Sequence, residues 1–213
     1  MKNFGKYVKR AMVITLALLV LCGVAYPLLL TGLGQAIFPK QANGSIVKAD
    51  GKAVGSEVVG QQFEGDKYFH GRVSAVNYNT YTEEEKENGD YTGVASGSYN
   101  YGATNEDLEK RVEEDVKAFK ERYKEATGET FKGEIPADML TASGSGLDPH
   151  ISPESAKIQL PIVAASSGLS EEEVQKIVDN NTEHKLFGIF GEETVNVLQC
   201  NVEIAKAIGE INE

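Results

Sequence analysis

The sequence predicts an α+β fold: a single N-terminal transmembrane helix followed by one extracytoplasmic α+β domain. Three observations predict it. Residues 11–39 carry no charged side chain, strand-like stretches and capped helices mix along the rest, and charge is sharply partitioned. The first ten residues, MKNFGKYVKR, hold Lys2, Lys6, Lys9 and Arg10 and no acid. The total is −11 over 213 residues, so removing that +4 leaves −15 beyond residue 39.

These features divide the chain into a cytoplasmic tail (residues 1–10), a transmembrane helix (11–33) and the outer domain (34–213). The span, AMVITLALLVLCGVAYPLLLTGL, is 23 residues long. At ~1.5 Å per residue it reaches about 34 Å, enough for a hydrocarbon core of about 30 Å. A secretory signal has a shorter apolar region, about 7–15 residues, before its cleavage site. Cys22 follows Leu-Val-Leu, faintly like a lipidation box, but bulky Leu21 and the apolar residues that follow argue against processing. Pro27 is expected to kink the span or fall in its outer turn. Four bases precede the span and only Lys40 lies close behind it, so the N-terminus is expected inside. With Cys22 in the bilayer and Cys200 outside, the two cannot pair. One helix encloses no pore and builds no alternating-access site, which leaves an accessory part in any transport.

Gly32, Gly34, Pro39 and the QANGS segment (41–45) mark the exit into a turn-rich start. Val54, Val58, Val59 and Phe63, then Tyr68 and Phe69, read as short strands or turns. Residues 76–101, rich in Tyr, Asn, Gly, Ser and Thr and carrying the acidic TEEEKENGD, read as a long surface loop. A helix follows, with Thr104 as cap and Asp107 three residues on. Its apolar positions are Leu108, Val112, Val116, Phe119 and Tyr123, and Gly128 stops it. Ser152 caps a second helix with Pro153 in its first turn, and Pro161 is expected to kink or end it. Ser170 and Glu173 form a capping box for a third, with Val174, Ile177 and Val178 inward and Asn180-Asn181 at its end. Residues 194–198 read as a strand, and 201–208 as a helix with Val202, Ala205 and Ile208 inward. About 170 residues suffice for one domain that buries roughly 70% of its unfolded surface.

Composition narrows the function. The near-average apolar fraction of 41% argues against disorder. A pI near 4.9 gives the wrong field for nucleic acid. Two Cys and three His at no ligand spacing exclude a disulfide scaffold and a zinc site. There is no phosphate-binding G-x-x-x-x-G-K-[ST], no G-x-S-x-G, no H-E-x-x-H and no kinase signature. The phosphorylated D-K-T-G-T of an ion pump and the T-V-G-Y-G of a potassium filter are missing too. No catalytic and no metal residue is assigned. One dense segment remains, TASGSGLDPHISPESA (141–156). Its small residues can leave backbone N–H groups open to an anion, and Asp148 with His150 can form a hydrogen-bonded acid/base pair. A Gly/Ser run, Asp-Pro and a Ser-Pro helix start also make a tight ordered loop before a helix, and that structural or partner-contact reading is preferred. The triplets Asn43-Gly44-Ser45 and Asn180-Asn181-Thr182 match a glycosylation pattern that is common by chance. The acidic excess can concentrate cations near a pore mouth, but solubility is the preferred reading.

Five motifs then form a set: T-G-x-x-Q-x-x-F-P-x-Q-A-N-G-S (31–45), G-Q-x-F (60–63), Y-F-H-G-R-x-S-A (68–75), T-A-S-G-S-G-L-D-P-H-I-S-P (141–153) and V-N-V-L-x-x-N (195–201). On these, over nearly its whole length, the chain resembles the KdpC subunit family of the bacterial potassium-transporting P-type ATPase. The resemblance implies an accessory subunit of a high-affinity, ATP-driven potassium uptake complex. Its partners would be a pore-forming potassium subunit, an ATP-hydrolysing subunit and a small helical subunit, besides the lipid bilayer. It also implies a catalytic chaperone that raises ATP affinity in the hydrolysing subunit. No cofactor is bound directly, ATP entering through that subunit. Because ATP is inside and the polar domain outside, the effect is expected to pass through helix packing. Gln41, Asn43, Ser143, Ser145, Asp148, His150 and Ser152 are the candidate partner contacts. The alternative is a membrane-tethered extracytoplasmic enzyme using Asp148 and His150. The chain departs from the family pattern at Val73, usually Pro, and at 96–102, where SGSYNYG replaces S-G-G-S-N-x-G-P. Ile162 and Ser167 stand where Arg is common, and Glu193-Thr194 replaces Pro-Arg. Partner salt bridges from those positions are not expected.

Overall fold

The apolar run folds as α1, Phe4–Ile37, 34 residues and long and apolar enough to cross a membrane. The computed structural model describes residues 3–89 and 93–212. Lys2 of the basic tail and Asp90 of the acidic patch lie outside them. Helix α1 continues through Gly32 and Gly34, expected as exits, since glycine weakens a helix by about 1 kcal/mol without breaking it. Pro27 is accommodated by a π-helical turn, Leu21–Ala25, in which the Tyr26 N–H reaches the Leu21 carbonyl five residues back. Proline offers no N–H and its ring crowds the carbonyl four residues earlier, that of Gly23. A wider turn at that point relieves the clash and keeps the chain helical on both sides. The helix ends at Phe38, which leaves the helical region at φ −131°, ψ 55° before Pro39, as the residue preceding a proline is disfavoured there, and a single turn, Pro39–Ala42, follows.

The chain divides into two compact units, Met1–Ile46 and Val47–Glu213. A hairpin of β1 (Ile46–Ala49), whose first residue is the last of the first unit, and β2 (Lys52–Ser56) stands at the start of the second. Its two-residue turn, Asp50-Gly51, has φ of 50° and 71°, the signs of a type I′ turn, for which Asp-Gly is a preferred pair. Of residues 76–101, those described (76–89 and 93–101) are mostly irregular, with two exceptions among them to a plain surface loop. Thr82 and Glu85 close a capping box on a short helix, Glu83–Glu87. Asn77, Tyr78 and Asn79 are all left-handed, and Tyr78 is buried.

Helix α2 (Glu106–Thr127) is capped by Asn105, whose side chain accepts the Leu108 N–H. This corrects the expected Thr104 cap: Asn ranks with the best caps and stands one residue closer to that amide. Gly128, at φ 76°, closes the helix as expected. Helix α3 (Pro153–Ser167) runs through Pro161 and does not end there. The bond lost at Pro161 is to the carbonyl of Lys157, an exposed residue, while Leu160, Ile162 and Val163 are packed in the core. Ser152 caps α3, and Ser170 with Glu173 boxes α4 (Glu171–Asn180), both as expected. β3 (His150–Ile151), β4 (Thr182–Glu183) and β5 (Thr194–Asn196) make an antiparallel sheet with β5 central; His150 stands opposite Asn196, and Thr182 opposite Val195. Helix α5 (Val197–Ala207) starts four residues before the expected 201, because the Asn196 side chain caps it through the Gln199 N–H. Its buried set is accordingly Val197, Leu198, Cys200, Asn201, Ile204 and Ala205, and Val202 is not fully buried. Phe69, Ile151, Leu160, Val163, Val174, Val195, Cys200 and Ile204 form the core shared by sheet and helices.

Candidate functional site

Segment 141–153 is laced to four distant stretches of chain through backbone groups. Ser143 donates its N–H to the Val73 carbonyl at 3.1 Å, and its buried Oγ accepts the Gly146 N–H at 2.8 Å. Ser74 Oγ donates to the Gly146 carbonyl at 2.6 Å and accepts the Tyr78 N–H at 2.9 Å. The Ser145 carbonyl receives the Gly97 N–H, that of Leu147 the Gly60 N–H, and that of Pro149 the Val197 N–H, at 2.8–3.0 Å. Gly60 has no alternative: a Cβ would lie 2.4 Å from the Asp148 carbonyl oxygen and 2.5 Å from the Tyr78 ring. Gly146 is held at φ +67° with a Cβ position only 2.7 Å from the Gly97 oxygen.

Asp148 and His150 do not form the hydrogen-bonded pair that their spacing offered. His150 Nδ1 stands 3.9 Å from Asp148 Oδ1, beyond hydrogen-bond range. Oδ1 instead accepts the backbone N–H of His150 at 3.0 Å, an Asx turn, and Oδ2 accepts from Arg72 Nη1 at 3.1 Å. His150 Nε2 lies 3.4 Å from the Asn196 amide. Ser152 caps α3 and donates its hydroxyl and its N–H to the two Asp138 oxygens, at 3.0 and 2.8 Å. Ser145 alone of these five is exposed. The structure thus brings Ser143, Ser145, Asp148, His150 and Ser152 onto one ordered strap. Gln41 and Asn43 belong to the first unit, where both are exposed; Asn43 exchanges two amide hydrogen bonds with Gln35, at 3.1 and 3.0 Å. Among the described residues, no group of three His, Cys, Asp or Glu side chains is placed to hold a metal.

Residues outside the predicted set do much of the positioning. Asn201, buried, accepts the Phe69 N–H and donates to its carbonyl, at 2.8 and 2.9 Å. Gln159, fully buried, does the same for His70, at 2.9 and 3.1 Å. Two core amides therefore clamp consecutive residues of the Y-F-H-G-R motif. Beyond the clamp, Arg72 reaches Asp148, and the Tyr78 hydroxyl donates to the Arg72 carbonyl at 2.7 Å. Burial, and then the Asp148 charge, push the Tyr78 pKa up to about 12, so the phenol stays a donor. His70 is held neutral: burial, then the Arg122 guanidinium, lower its pKa. Its Nε2 bonds the Gly65 carbonyl at 2.9 Å, and Nδ1 lies 3.0 Å from Arg122 Nη1, whose Nε donates to Asp66 at 2.8 Å. The arrangement is a densely hydrogen-bonded scaffold with one exception in its centre, the buried Arg72 Nε, which has no hydrogen-bond partner among the described residues.

Comparison with known proteins gives a consistent result. The profile of a family described as K+-transporting ATPase, c chain (KdpC) matches residues 8–206. A protein of Clostridium kluyveri named potassium-transporting ATPase KdpC subunit is 54% identical over 213 residues, covering all of both chains. The protein of that name from Clostridioides difficile is 53% identical over 211 residues, spanning 97% of this chain and 100% of its own. That of Caldanaerobacter subterraneus subsp. tengcongensis is 43% identical over 204 residues, 96% of this chain and 97% of the other.

Proposed function

The chain belongs to the KdpC family of K+-transporting ATPase c chains, and on that premise we propose that it is a non-catalytic accessory subunit of a high-affinity, ATP-driven potassium uptake complex. The family match from residue 8 to residue 206 carries this reading. In it, α1 crosses the cell membrane once with the N-terminus inside and packs on the partner subunits. The acidic domain sits outside over the pore-forming potassium subunit, with the ATP-hydrolysing and small helical subunits completing the assembly. Gln41, Asn43 and the 141–153 strap, in which Thr141, Gly144 and Ser145 are exposed, are the proposed contact surfaces. The wide Asp148–His150 separation and the structural engagement of both side chains speak against the rival reading as a tethered enzyme. No ATP contact is assigned to this chain. Its chaperone effect on ATP affinity passes from α1 to the membrane helices of the hydrolysing subunit, the one route open to a polar domain on the opposite side of the bilayer. The test is the ATP KM of the potassium-stimulated ATPase, measured on purified complex carrying the native α1 or an unrelated apolar helix in its place. A raised KM in an otherwise intact complex is expected. An unchanged KM removes the route through α1, and a wild-type chain that fails to co-purify with the ATPase subunits removes the subunit role itself.

A further inference from the structure

Between β4 and β5 the chain leaves the core as a small apolar finger. Leu186, Phe187, Ile189 and Phe190 are 62%, 84%, 75% and 64% exposed, four large hydrophobic side chains within five residues. Isolated exposed hydrophobics are ordinary, whereas a contiguous cluster marks an interaction site. The finger is built, not frayed. Leu186 and Phe190 exchange backbone hydrogen bonds at 2.8 and 3.0 Å, and the Gly188 N–H closes on the Lys185 carbonyl at 2.9 Å. Phe187 holds a left-handed φ of 54° beside Gly188 at 72°, a conformation that a bulky residue rarely adopts. At the foot, His184 lies 2.9 Å from Glu193 and Lys185 lies 3.6 Å from Glu192.

Charge decides among the possible occupants. Apolar loops that insert into bilayers are held by Lys or Arg against anionic headgroups. Here the one lysine at the foot, Lys185, is engaged by Glu192 and the His184 ring by Glu193, Glu183 adds a further negative charge, and the chain beyond residue 39 carries −15. The same excess opposes a second copy of this chain. A rigid aromatic knob suits a preformed apolar pocket, because little freedom is lost on docking. We propose that residues 186–190 are a docking knob that seats in an apolar recess, rimmed by basic groups, on another subunit of the ATPase complex. The proposal rests on the subunit reading above and adds to it the element that makes the contact.

The experiment uses the full-length chain in the purified complex, with photoreactive benzoylphenylalanine in place of Phe187. Irradiation is expected to yield an adduct to one apolar segment of one other subunit, located by mass spectrometry. Adducts with lipid alone, or with a second copy of this chain, in a complex that still co-purifies overturn the knob while leaving the subunit reading intact. A wild-type chain that does not co-purify at all overturns the subunit reading first. As an independent readout, Phe187→Ser with Ile189→Ser removes exposed side chains only and is expected to lower retention in the complex at least tenfold with an unchanged circular dichroism spectrum. Wild-type retention overturns the proposal.

Discussion

His70 shows how one residue ties the scaffold to pH. Its imidazole acts as donor at Nε2 and as acceptor at Nδ1, where Arg122 approaches to 3.0 Å, so a second proton would displace that bond and set two cations together. The folded pKa is therefore lowered, with burial the larger cause and Arg122 the next. In the unfolded chain the ring titrates near its ordinary value of about 6.5. A depressed folded pKa gives stability that is present above about pH 6.5 and lost as the pH falls, because the unfolded state then takes up the proton first. The unfolding temperature of the detergent-solubilised chain, followed by near-UV circular dichroism of its tyrosines, is expected to fall between pH 7 and pH 5.5. His70→Gln is expected to flatten that slope, and an equal slope in both proteins contradicts the assignment. Asp115, whose carboxyl burial holds above its usual range, is the carboxylate nearest that window, and His70→Gln leaves it in place, so its contribution is common to both proteins. Glu85, Glu173 and Glu210, held low by hydrogen bonds from Thr82, Ser170 and Lys67, lose their protonation-linked stability only below about pH 4.5.

At the scale of elements, the caps decide where structure begins, and two nearby candidates can be told apart by mutation. Asn105→Ala removes the acceptor for the Leu108 N–H and is expected to cost about 1 kcal/mol, whereas Thr104→Ala is expected to cost at most a few tenths, read as shifts in the same melting curve. Equal effects would return the cap to Thr104. The contrast explains what was legible in the sequence. Ser152 and Ser170 announce α3 and α4 because a cap, its N3 partner and the first apolar residue are all local. Asn196 is equally local, but it lies in a β-branched stretch that reads as strand, so α5 starts earlier than its pattern suggests. Continuity through Pro161 depends on packing by other elements, and no local pattern encodes it. The strap was legible as an ordered loop, since Gly, Ser and Asp-Pro are turn chemistry. Its clamps were not: Asn201 and Gln159 meet Phe69 and His70 across 132 and 89 residues of chain. Nor did spacing reveal that Asp148 turns to Arg72 and away from the His150 ring.

For the whole molecule the proposed orientation rests on the partition of charge, a +4 tail, an uncharged span and a −15 remainder, which the positive-inside rule reads as N-terminus inside. That direction supports both the route assigned to the ATP effect and the side on which the apolar finger meets its partner. The native thiols make it testable with little background. Cys22 lies in the apolar helix and Cys200 is buried in the core, where burial raises its pKa and keeps it protonated and unreactive. A reporter cysteine at Val94, 82% exposed, is expected to react with a membrane-impermeant maleimide in intact cells. One at Asn3, preceding the basic cluster of Lys6, Lys9 and Arg10, is expected to react only after permeabilisation. The reverse pattern would place the acidic domain beside the nucleotide and open direct ATP contact to it. Equal labelling of both sites in intact cells would mean that α1 does not span the bilayer. In either case the scaffold geometry of the strap would stand, while in the reversed orientation the finger would need an occupant on the cytoplasmic side of the membrane.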